Sequence, residues 1–198
     1  MRALIRLVSR EPTNEEWEEL RKLQIRSQRK GKDMGLDIRA YRGLQLAPAG
    51  PLSDDSSLYL REALAFTNKA FPGRADGLHP EMAYSGCEDS FAFQAGSYMY
   101  YSKWRNQLAE IAGLGSAEAV RTNPEKEGLP FVELINFSDC EGVIGPKVAA
   151  KLAKDFADYE DRASAFAAKF KDDFFLALYR EWRRAFEWAA DGGMVYFG

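Results

Sequence analysis

Three features of the sequence predict an α+β fold, helix-dominated and in a single domain over 1–198, with a small sheet built from N-terminal strands. Apolar residues recur at helical spacing over most of the second half of the 198-residue chain. Near the N-terminus the pattern changes to strict alternation, the mark of half-buried strands. Glycine and proline punctuate the chain between the periodic stretches. The expected organisation is a strand-helix-strand unit over 1–46 and a mainly helical part over 58–191.

The alternating stretches Ala3–Ser9 and Asp37–Leu46 read as strands. Between them Thr13-Asn14-Glu15-Glu16 is a capping-box pattern that opens a helix over about Glu15–Arg29. A parallel crossover unit and a pair of edge-paired antiparallel strands both fit this order. Pro48, Gly50 and Pro51 then place a loop over Ala47–Ser57. Leu60, Ala63, Leu64, Thr67 and Phe71 share one helical face, and Phe71-Pro72-Gly73 stops that helix. Residues 72–96, rich in Gly, Pro and polar groups, read as a long loop of the kind that often carries function.

Tyr98–Ala112 resumes the helical period, with Tyr101, Trp104, Leu108, Ile111 and Ala112 on one face and Gly113 as the stop. Gly115–Gly128 is polar connection. The apolar stretch Leu129–Phe137 fits strand and helix equally. Gly145-Pro146 opens a helix, since proline suits the first helical position, and Val148, Leu152, Phe156 and Tyr159 mark its buried face. Ala163, Phe166 and Phe170 continue a second helical piece. Phe175, Leu178, Tyr179, Trp182, Ala185, Phe186 and Ala189 give the clearest amphipathic pattern of all. Asp191-Gly192-Gly193 ends it, and Met194–Phe197 reads as a closing strand.

One histidine and two cysteines narrow the chemistry, because a zinc site made of Cys and His alone needs four ligands. Met1–Arg10 is too short and too charged for a signal peptide, and no apolar run is long enough to span a membrane. A cytoplasmic protein with reduced thiols is the expectation. The net charge of −3 hides an asymmetry: residues 1–32 hold nine Lys or Arg against five Glu. Arg21, Lys22, Arg26, Arg29, Lys30 and Lys32 form a basic run without an intervening acid, which suits nucleic-acid phosphate, an acidic partner or a solvated helix end.

Two segments are polar where their neighbours are apolar. One is Tyr84-Ser85-Gly86-Cys87-Glu88-Asp89-Ser90, leading to Tyr98, Tyr101, Trp104 and Arg105. The other is Asn136-Phe137-Ser138-Asp139-Cys140-Glu141-Gly142. If the two converge, Glu88, Asp89, Asp139 and Glu141 form a carboxylate cluster suited to a hard cation, an amine or acid-base work; capping of turns is the simpler role. Tyr98, Tyr101 and Arg105 suit a nucleotide, with ring faces for the base and the guanidinium for a phosphate; as core residues they would instead be buried with their polar tips bonded. A Cys87 or Cys140 nucleophile would need His79, which lies in a separate Pro-flanked turn. The glycines at 142 and 145 match neither dinucleotide nor phosphate-loop spacing, so no cofactor is implied.

Gly96-Ser97-Tyr98, Tyr101, Trp104, Arg105 and Leu108, together with Phe137–Pro146 and the following Val148, Lys151, Leu152 and Asp155, resemble a group of small uncharacterised proteins of bacteriophages and prophages. The likeness covers about the last 120 residues. It implies a phage or prophage origin and an intracellular accessory role, and it carries no activity. The expected function is therefore a non-catalytic accessory protein that binds a small polar or nucleotide-like ligand, one version being sequestration of a host nucleotide signal, or binds a host protein. The nominated ligand-binding residues are Tyr98, Tyr101, Arg105, Ser138, Asp139 and Glu141. A carboxylate-based, metal-assisted hydrolase and nucleic-acid binding through the basic run are the alternatives. The apolar face of the last helix serves a core or a homodimer equally well.

Overall fold

A computed structural model describes residues 35–47, 63–65, 67–79, 82–87, 89–123, 128–137 and 141–198. Leu36–Gly198 form one compact unit. The expected strand at Ala3–Ser9, the helix at Glu15–Arg29 and the basic run at Arg21–Lys32 lie outside the described residues.

The fold is α+β. Its strands are β1 (Gly35–Tyr41), β2 (Gln45–Leu46), β3 (Ala63–Leu64), β4 (Ala83–Ser85), β5 (Ser90–Ser97), β6 (Gly142–Ile144) and β7 (Met194–Phe197). Its helices are α1 (Tyr98–Ile111), α2 (Ala117–Arg121), α3 (Val132–Ile135), α4 (Pro146–Asp158), α5 (Glu160–Phe170) and α6 (Asp173–Ala190), with a 3₁₀ turn at Pro72–Ala75. A four-stranded antiparallel sheet runs in the order β5-β1-β7-β6, and β2, β4 and β3 form a smaller one.

Register explains how the larger sheet serves two layers. Ile38 lies opposite Phe197, and Ala40 and Ile144 both lie opposite Val195. These residues are buried in the same core as the apolar faces of α1, α4 and α6. The next residue along each strand points the other way. Tyr41, Met194 and Val143 accordingly join a separate cluster with Tyr84, Ala65 and Ala75 from the smaller sheet and its flanks.

The seven apolar positions read from the last helix are all buried in α6. Asp172 caps it, accepting the Phe175 N–H at 2.9 Å. Its aromatic residues interleave with α4 and α1: Phe156 lies 4.7 Å from Tyr179 and 5.7 Å from Phe186, and Trp182 lies 5.8 Å from Trp104. The Tyr179 hydroxyl donates to the Phe156 carbonyl at 2.7 Å, so that polar tip is satisfied inside the core.

Two sequence expectations are corrected. Within the stretch 60–71 expected to be helical, the described residues Ala63 and Leu64 form β3, with Ala63 opposite Tyr84 and Leu64 opposite Ala83. Asn68 is the cause within the described part: its Oδ1 accepts the Ala70 N–H and its carbonyl accepts the Phe71 N–H, so the backbone turns instead of continuing a helix. The long loop over 72–96 contains the 3₁₀ turn, β4 and β5. In β5, Phe91 and Phe93 point to one face and meet Trp188 and Trp182 edge-on at 5.0 and 5.2 Å. The undecided stretch 129–137 holds the single helical turn α3.

Candidate functional site

The stretch from Leu129 to Phe137 is fixed by side chains from three other elements, and charged residues do most of the fixing. At its start Phe131 has φ 62°, a left-handed conformation unusual for an aromatic residue. The Asp155 carboxylate on α4 accepts the Phe131 N–H at 2.8 Å and so holds that conformation. Lys151, one turn earlier on α4, donates to the Leu129 carbonyl at 2.6 Å and pairs with both Asp155 at 2.9 Å and Glu133. Arg74 Nε donates to the Glu133 carbonyl at 3.0 Å.

At the far end of the stretch stands Arg105. It is 5% exposed, and its Nη1 donates to the carbonyls of Phe137 at 3.0 Å and Ile135 at 3.5 Å. Its guanidinium lies 4.5 Å from the centre of the Tyr101 ring. Backbone carbonyls here replace the water that a buried guanidinium loses, which makes the burial tolerable. A buried anion at one end and a buried cation at the other thus clamp the single turn α3.

This geometry places the nominated residues. Tyr98, the first residue of α1, is exposed. Tyr101 is fully buried, its ring 6.1 Å from Trp104 and 5.7 Å from Trp182. Arg105 is buried and bonded to backbone. Glu141 is exposed, and its backbone carbonyl accepts Asn68 Nδ2 at 3.0 Å. Ser138, Asp139 and Cys140 lie outside the described residues, as does Glu88. The helix that follows the first polar segment reaches the start of the second where Arg105 meets the Phe137 carbonyl.

The carboxylates read as one cluster have separate surroundings where they are described. Asp89 pairs with Arg42, while the Glu141 side chain is exposed. Among the described residues no three His, Cys, Asp or Glu side chains group as a metal site would need. The Cys87 thiol donates to the Tyr84 carbonyl at 3.4 Å, and the His79 N–H donates to the Tyr84 hydroxyl at 2.7 Å. The opening of α4 is also committed to the chain itself. Gly145 N–H donates to the Arg74 carbonyl at 2.7 Å and Lys147 N–H to the Asp76 carbonyl at 3.4 Å, in a contact too close for any side chain at Gly145.

Sequence reading missed Glu133, Lys151 and Asp155 as an interacting group. Lys151 and Asp155 carry a usable signal, since they stand four apart on one helix and Asp155 immediately precedes the core residue Phe156. Burial pushes the Asp155 carboxyl above its ordinary value, against the lowering effects of the Phe131 N–H and Lys151; nearby Glu133 adds to the rise. The folded state therefore binds this proton more tightly than the unfolded chain. Ionised Asp155 costs stability above its folded pKa, and that cost disappears as pH falls towards the ordinary value of 3.8. Denaturant titrations at several pH values should show wild type gaining stability relative to Asp155→Asn as pH falls from neutral. A difference that moves the other way refutes the assignment.

Among the described residues no helix is long and apolar enough to cross a membrane. Comparison with protein-family models, with curated proteins and with solved structures finds no match for this chain.

Proposed function

We propose that the chain is a non-catalytic accessory protein of phage or prophage origin. Its binding surface lies where α1 meets the end of the Leu129–Phe137 stretch, and its ligand is a small polar or nucleotide-like molecule or a host protein. The observation that carries this reading is the bond from Arg105 to the Phe137 carbonyl, which ties the aromatic start of α1 to the point where the second polar segment begins. Buried charges that hold backbone supply a rigid base, and ligand-binding residues are characteristically carried on segments held by such a base.

In this reading Arg105 is a positioning residue, because its guanidinium is directed at carbonyls. Contact with the ligand falls to exposed groups. Tyr98 lies two helical turns, about 10 Å along the axis, from Arg105 on the same side of α1. Glu141 lies four residues beyond Phe137 and supplies a carboxylate for a donor-rich ligand.

The test is a thermal-shift and native mass-spectrometry screen against nucleotides, cyclic nucleotides and small polar metabolites, with crosslinking in host lysate run in parallel. At least one ligand or one crosslinked protein is expected, and Tyr98→Ala or Glu141→Ala should weaken its binding at least about tenfold. Both side chains are exposed, so the folded protein should tolerate either change. If neither screen gives a hit, or if both variants bind as wild type does, the proposal fails.

A further inference from the structure

We draw no further inference here: the strongest candidate, the surface cluster of Arg42, Arg184, Phe91 and Trp188 where α6 meets β5, has its charges taken up within the chain, Arg42 by Asp89 and the Trp188 ring and Arg184 by the Phe91 and Trp188 rings, and nothing in the structure shows what covers it.

Discussion

Gly193→Ala is expected to destabilise the protein by about 3 kcal/mol or more, the range reached when a buried atom is forced into a site with no space for it. A β-carbon at this position would lie 1.9 Å from the Tyr41 carbonyl oxygen and 2.8 Å from the Arg42 α-carbon. Both obstacles are backbone, so no rotamer change relieves the clash. The turn from α6 into β7 is seated on the end of β1: Gly43 N–H donates to the Asp191 carbonyl at 2.7 Å and Leu44 N–H to the Gly192 carbonyl at 2.9 Å. Moving it apart would break the register in which Tyr41 faces Met194. Since β1 and β7 are the two central strands, the loss should spread through the sheet. Gly192→Ala is the control. That residue has φ +62° but open space around it, so only the left-handed penalty of about 1 kcal/mol applies. Chemical denaturation of both variants checks the contrast, and equal losses would show that the contact with Tyr41 is unimportant.

The same glycines show what could be read in the sequence. Asp191-Gly192-Gly193 marked the end of α6 by composition alone, but nothing in that tripeptide says which glycine is needed for space and which for conformation. Long periodic stretches were legible: every residue assigned to the buried face of α6 is buried, and Gly145-Pro146 opens α4. β5 was hidden inside a Gly- and Pro-rich stretch, although Phe91, Phe93 and Ala95 alternate as strand residues do. Short apolar runs between turn residues fit more than one structure, and tertiary pairing decides among them. In the candidate site the difficulty was of another kind. Arg105 beside Tyr101 reads as a group awaiting a phosphate, whereas acceptors it uses in the fold include the carbonyls of Ile135 and Phe137, thirty or more residues away. Backbone acceptors have no residue signature, so an arginine that uses them looks unassigned in a sequence.

Arg105→Met is expected to cost about 2–4 kcal/mol, the price of removing a charged donor and leaving a buried carbonyl without its partner. Methionine keeps much of the aliphatic length that lies among Tyr101 and its neighbours, so lost packing contributes little. The Phe137 carbonyl loses its 3.0 Å bond in a place where Phe137 itself is 2% exposed. The other end of the stretch keeps Asp155 and Lys151, so the damage should begin at Ile135–Phe137 and not at Phe131. Hydrogen exchange should then quicken first at residues 135–137, with the amide of Phe131 still protected by the Asp155 carboxylate. Arg105→Lys should fall between wild type and Arg105→Met, since an ammonium can reach a carbonyl but has no guanidinium plane to lie over Tyr101. A loss below about 0.5 kcal/mol for Arg105→Met would mean that water satisfies these carbonyls as well as the guanidinium does. The positioning role would then be withdrawn, and with it the physical link between α1 and the second polar segment.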